Sequence, residues 1–232
     1  MSVNFSFLIA IGALFLISCS DQKENRDDQA SIEGEISNLP APVKKVRLSR
    51  IDAKGPMTID SAMFEPDGKF SFVLPADSER LYVLELGGQR LPVFLESGQH
   101  SLKGDFNHLY QSFSYTNSSL TDLLKRVEST RVGFEQKAQG LEMKFKAAMN
   151  SGNQPGADSA MSGFFALQST TKQYVKHFID SIGPNPVAHL ATSMLSIDDD
   201  FGYLDSLALR FEKEKPKAAY TEKMKSYLEV PR

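Results

Sequence analysis

At Ser118-Ser119 the apolar residues of this chain change period, and that change limits the fold more than any other feature of the sequence. A half-buried strand needs an apolar residue at every second position, whereas an amphipathic helix needs one every three or four. Before the change, Val46 and Leu48 alternate with polar neighbours, and Leu81, Val83 and Glu85 fall on one face against Tyr82, Leu84 and Leu86 on the other. Turn chemistry separates the runs: Pro40-Ala41-Pro42, Pro66-Asp67-Gly68-Lys69, Gly87-Gly88 and Ser97-Gly98 supply fixed φ at proline and positive φ at glycine. Eight short strands are expected, at residues 31–36, 45–51, 58–63, 70–73, 81–86, 89–95, 100–105 and 113–115. Their close spacing predicts an antiparallel β-sandwich or flattened barrel, with hairpins at Asp67-Gly68 and Gly87-Gly88, and argues against a parallel sheet.

After the change, Leu120, Leu124, Val127, Phe134, Ala138, Leu141, Phe145 and Ala148 recur at spacings of three, four or seven, the stripe one helix presents to another. Ser119-x-x-Asp122 reads as its N-cap, an oxygen and a carboxylate placed to meet free backbone N–H groups. Gly133 and Gly140 each cost about 1 kcal/mol relative to alanine in a helix interior, so a kink or looser pairing is expected there. Residues 150–156, with Gly152, Pro155 and Gly156, turn the chain into a second helix at 157–181 carrying Met161, Phe164, Phe165, Gln168, Val175, Phe178 and, just beyond, Ile182 near one side. Two long helices joined by so short a turn lie antiparallel. Gly183-Pro184-Asn185-Pro186 ends the second and starts a short third; Leu204, Leu207 and Phe211 mark a fourth, and Tyr220, Met224, Tyr227 and Leu228 a fifth. The fold class is therefore α+β, an antiparallel β-domain at 31–116 followed by a helical segment at 117–232.

Ahead of the β-domain, residues 5–17 are almost all apolar and end in Leu16-Ile17-Ser18-Cys19, which contains the single cysteine of the chain. A dozen residues fall short of the about 20 that cross a hydrocarbon core, so the run reads as a secretory signal at 1–18 rather than an anchor. Leu16-Ile17-Ser18-Cys19 resembles a lipobox, which implies cleavage before Cys19, alkylation of its thiol by diacylglycerol and a hold on the bilayer that strengthens with each acyl chain. The resemblance implies a bacterial lipoprotein of the cell envelope; Ser20 in place of the retention aspartate favours the outer membrane, on its periplasmic or surface face. Residues 19–30 are polar with almost nothing to bury and are expected to form a tether.

Composition then removes whole classes of function. A formal charge of −3 leaves no electrostatic footprint for nucleic acid. With Cys19 spent on lipid, the mature chain has no thiol for a disulfide, a redox pair or a zinc–thiolate centre. His100, His108, His177 and His189 show no metal-binding spacing, and Asp198-Asp199-Asp200 lacks the glycine and distal glutamate of a calcium loop and reads as an acidic cluster at a helix start. Asp60, Glu65 and Asp67 sit where strand faces and turns explain them, and no Gly-x-Ser-x-Gly elbow or phosphate loop occurs. No catalytic residue, cofactor or metal is assigned, and a lipid bilayer and an envelope protein are the partners expected.

The order Ile32-x-Gly34-x-Ile36, Ile59-Asp60-Ser61, Asp67-Gly68-x-Phe70-x-Phe72, Tyr82-x-Leu84, Leu95-Glu96-x-Gly98, Gly104-Asp105 and Asn117 to Leu120 resembles a β-rich domain of unknown function. That domain is found in bacterial envelope lipoproteins, ahead of a thioredoxin-like thiol-disulfide oxidoreductase domain. The resemblance covers about 31–125, and the helices up to 228 resemble the segment that separates the two domains. No thioredoxin-like sequence follows before Arg232. The leading expectation is a non-catalytic binding or scaffolding module on a lipid anchor. The alternatives are the accessory part of an oxidoreductase whose catalytic domain is missing or separate, and capture of a small ligand between the two halves.

Overall fold

The computed structural model describes residues 28–52 and 55–229. Leu16, Ile17, Ser18 and Cys19, with the apolar run before them and most of the tether, lie outside the described residues. The strands are β1 (Gln29–Ser37), β2 (Lys45–Asp52), β3 (Gly55–Met63), β4 (Lys69–Pro75), β5 (Asp77–Leu86), β6 (Gln89–Leu95), β7 (Gly98–Asp105) and β8 (Ser114–Tyr115), so each expected strand is present. They form two four-stranded sheets, in the orders β4-β1-β7-β8 and β3-β2-β5-β6, and no barrel closes.

Two details of the pairing differ from expectation. The sheets are mostly antiparallel, but β1 and β7 run parallel, with Ile32 opposite His100 and Gly34 opposite Leu102. The chain between them builds the second sheet before returning, and a pairing at that separation leaves no turn signal in the sequence. The turn at Pro66-Asp67-Gly68-Lys69 forms, with the Gly68 N–H donating to the Glu65 carbonyl at 2.9 Å. It does not join a two-stranded hairpin, however: β3 pairs with β2 and β4 pairs with β1, so the turn is the corner where the chain changes sheet. Gly68, at φ +81° and with the Ile36 carbonyl pressed against it, meets both demands of that corner. Gly87-Gly88 does join a true hairpin of β5 and β6.

The inner faces of the two sheets close on one core of Ile32, Ile36, Phe70 and Phe72 against Val46, Leu48, Leu84, Leu91 and Val93. Gly34 sits within it opposite Phe70, whose ring occupies the place of a side chain: a Cβ on Gly34 would lie 2.1 Å from ring carbons. A short helix α1 (Leu109–Ser112) buries Leu109 against the end of this core.

Five further helices follow: α2 (Ser119–Asn150), α3 (Gln154–Ile182), α4 (Pro186–Ala191), α5 (Ile197–Glu214) and α6 (Ala219–Leu228). The N-cap of α2 is Ser118, one residue before the expected position, and its hydroxyl accepts from the Thr121 N–H at 3.1 Å. Helix α2 runs unbroken through Gly133 and Gly140. The turn after it is shorter than expected, because Asn153 caps α3 and Pro155 falls within the first turn of that helix, where a missing N–H costs nothing.

A second core joins Leu124 and Val127 of α2, Val175, Phe178 and Ile179 of α3, and Leu204, Leu207 and Phe211 of α5. Asp200, expected as part of an acidic helix start, is 3% exposed and fastens α3 to α5 by accepting from Lys176 at 2.7 Å and Lys172 at 3.1 Å. Burial pushes its carboxyl up, and the two lysines more than offset this and hold it below the usual carboxylate range. Phe94 of β6 belongs to this second core, so the sheet β3-β2-β5-β6 is covered on one face by its partner sheet and on part of the other by helices. Beyond the helices, Glu85 occupies that outer face between Arg47 at 3.2 Å and Arg90 at 2.9 Å. Among the described residues, no helix is long and apolar enough to cross a membrane.

Candidate functional site

Where the sheet meets the helices, packing leaves a cleft of about 220 Å³. Strand β5 brings Glu79, Arg80 and Leu81 to one wall and β6 brings Phe94; α4 supplies His189 and Leu190, and α6 supplies Tyr220 and Lys223. The alternation of β5 turns Leu81 outward, away from the sandwich core, and Asn185 starts α4 here by accepting from the N–H groups of Val187 (2.8 Å) and Ala188 (3.0 Å). Pro186 at the start of α4 lines the cleft beside them.

The chemistry of the cleft centres on His189. Its Nδ1 is shut off from solvent and has no hydrogen-bond partner among the described residues. The tautomer that strands no buried donor keeps the proton on Nε2 and leaves a bare lone pair at Nδ1. Burial, helped by the neighbouring charge of Lys223, pushes the imidazole down to about 4, so the ring is neutral at physiological pH. Apolar walls with a neutral histidine and the Lys223 cation form a small surface suited to a ligand with an apolar body and an anionic end; Glu79 and Arg80 share the wall, with Arg80 held by Asp77 at 3.6 Å. The volume lies under the about 300 Å³ at which drug-sized sites begin, which restricts the occupant to a small molecule or a single side chain.

Sequence reasoning singled out His189 only as one of four scattered histidines, and named no other lining residue as a site. The lining comes from five separate segments, Ile51 of β2 joining those already named, so no spacing could have shown it. The other three histidines lie apart: His108 and His177 are exposed, and His100 is fully buried, with Nε2 2.7 Å from the Glu96 carbonyl and its ring stacked on Tyr115. Asp60 and Asp67 are taken up locally, by the Ser61 N–H and by Lys69. Among the described residues, no group of three or more His, Cys, Asp or Glu could hold a metal ion.

Two motif segments that looked unrelated in the sequence meet at the junction of the halves. The Glu96 carboxylate accepts from the hydroxyls of Ser118 and Ser119 and from the Leu120 N–H at 3.1 Å, so a residue of the sheet domain caps α2. The Asn117 amide donates to the Gln99 carbonyl at 2.8 Å, and the Phe94 N–H donates to Thr121 Oγ1 at 3.0 Å. Leu95-Glu96-x-Gly98 and Asn117 to Leu120 are thus two sides of one clasp. Neither curated proteins nor solved structures give a match to this chain. Residues 30–124, which carry both sheets, the clasp and the capped start of α2, match the model of the domain of unknown function DUF4369.

Proposed function

We propose that this chain is a bacterial cell-envelope lipoprotein, held to the membrane through an acylated Cys19, whose folded part is a non-catalytic binding module. The observation that carries the reading is the sequence Leu16-Ile17-Ser18-Cys19 at the end of an apolar run too short to span a bilayer. Placement in the outer membrane rests on Ser20 following the cysteine. Growth on a clickable fatty acid tests the anchor: wild type takes up label and Cys19→Ala takes up none. Equal labelling of the two, or a purified native chain that keeps its opening residues and a free thiol, overturns it.

The binding surface in this reading is the cleft between the sheet and α4 and α6. Benzoate is a suitable probe because it joins a ring, for the walls of Leu81, Phe94 and Leu190, to a carboxylate, for Lys223. Millimolar benzoate raises the melting midpoint of the wild-type chain, as any ligand of the folded state does, and the rise shrinks in Lys223→Ala. No rise at 10-fold higher benzoate retires the cleft as a binding site.

A second reading is favoured by the order of the motifs from Ile32 to Leu120, which resembles a domain that precedes thioredoxin-like oxidoreductases. There the chain is an accessory part and a separate polypeptide supplies the Cys-x-x-Cys centre. Co-purification from envelope membranes with a thioredoxin-like protein favours it, and an insulin-reduction assay of the chain alone is negative in either case.

A further inference from the structure

Neither hydrophobic core includes a residue between Val127 and Val175. At 1.5 Å per residue, the far parts of α2 and α3 therefore extend as a bare helical hairpin for about 30 Å. Small residues, Ala148, Ala157 and Ala160, are the ones buried along this stretch. They let the two helices approach closely and leave the large side chains to one side. There Phe134, Ala138, Leu141 and Phe145 of α2 and Met161 and Phe164 of α3 line a groove of about 490 Å³. The Phe134 and Phe164 rings are 6.5 Å apart, and Phe165, at 59% exposure, extends the cluster outward.

We propose that this groove is a homodimer interface, in which two hairpins close face to face into a four-helix bundle. Its size fits. A face about 30 Å long and about 20 Å wide, the width of two packed helices, gives about 600 Å² per copy, and two copies give about 1,200 Å², where specific interfaces begin.

Charge selects a second copy over a lipid surface. Arg131 is already paired with Glu128 at 2.7 Å and Glu135 at 2.6 Å, and Glu142 with Lys146, all within α2. The α2 rim of the groove presents Glu135, Gln139 and Glu142, and the cations beside them, Arg131 and Lys146, are engaged by these acids, so the rim offers an anionic bilayer no excess of positive charge; the chain also has no tryptophan to seat at a membrane interface. The α3 rim is neutral from Met161 through Phe165 to Gln168, with Asp158 one turn before that stretch.

That asymmetry also sets the arrangement. Stacking α2 on α2 would set the Glu135 and Glu142 rows of the two copies against each other, whereas a two-fold axis along the hairpin lays each α2 antiparallel on the partner's α3. Within one hairpin Leu141 is level with Gly163 and Ala148 with Gly156. The same levels across the axis bring Glu135 and Glu142 to the neutral stretch of α3 and Lys146 to the partner's Asp158.

Photocrosslinking of the full chain in its membrane tests this, with p-benzoylphenylalanine placed at Gln139 on the groove rim or at the exposed Lys144, about 140° further round α2. The expected product from position 139 is a covalent dimer of two 25.7 kDa chains, formed at least tenfold less from position 144. Phe165→Glu and Met161→Glu, both at exposed positions, cut the yield about tenfold while circular dichroism retains the helix signal, and Lys144→Glu leaves it unchanged. The proposal is overturned by absence of the dimer, by equal yield from both positions, by adducts to lipid or to another protein instead, or by a dimer that survives both groove substitutions.

Discussion

His189 is the residue at which the price of joining the two halves is most visible. Its ordinary value is 6.5, and in the folded chain burial and Lys223 bring it to about 4. The unfolded chain therefore binds a proton that the folded chain refuses, and stability rises with pH wherever that holds. The contribution is complete above pH 6.5, is lost as pH falls from 6.5 towards 4, and levels off below 4, a change of about 3 kcal/mol. Urea melts at pH 7, 5.5 and 4.5 check this: the wild-type chain loses stability steadily, and His189→Phe, with no proton to bind, flattens the slope. A variant with the wild-type slope would mean that water reaches the ring in the folded state. The residue itself could be read from the sequence; its burial could not, because the groups that enclose it come from β5, β6 and α6.

At the scale of elements, local chemistry was legible where one segment decided the outcome by itself. The alternation in β5 places Leu84 and Leu86 in one core and Leu81 against the other, as the period of two requires. The stripe from Leu120 to Ala148 gives a helix of 32 residues, and Asn185-Pro186 starts α4 as its side-chain chemistry dictates. What escaped were the elements whose partners are remote. Asp67-Gly68 is ideal hairpin chemistry, yet a turn fixes only its own four residues, and the strands leaving it went to different sheets. The parallel pairing of β1 with β7 was hidden for the same reason. In Ser118-Ser119 the cap shifted by one residue because Glu96, 22 positions earlier in the chain, competes for the first turn of α2. Asp200 read as one of three acids at a helix start, where it does lie, and only the packing of α3 on α5 makes it the buried member of an ion cluster.

Phe94 decides how the molecule behaves as a whole. Its neighbours Val93 and Leu95 point into the sandwich core, and its own ring, with no exposed surface, points into the helical core. Its N–H donates to Thr121 Oγ1 and its carbonyl accepts from the Tyr115 hydroxyl at 3.3 Å, so one residue ties β6 to α2 and to β8. Two cores coupled in this way unfold together: loss of the helices would expose Phe94 and Leu81, and loss of the sheet would strip Glu96 from the cap of α2. The chain should therefore melt in a single transition, the same by far-ultraviolet circular dichroism and by tyrosine fluorescence. Phe94→Ala removes about 3–5 kcal/mol through lost burial and the cavity left behind. Because that loss falls at the junction, it also separates the transitions, with the helix signal at 222 nm falling first and the sandwich, whose core loses no member, melting later. Coincident curves in Phe94→Ala at a lowered midpoint would place the coupling in the Glu96 clasp instead, and an unchanged midpoint would mean that the sheet and the helices do not share a core.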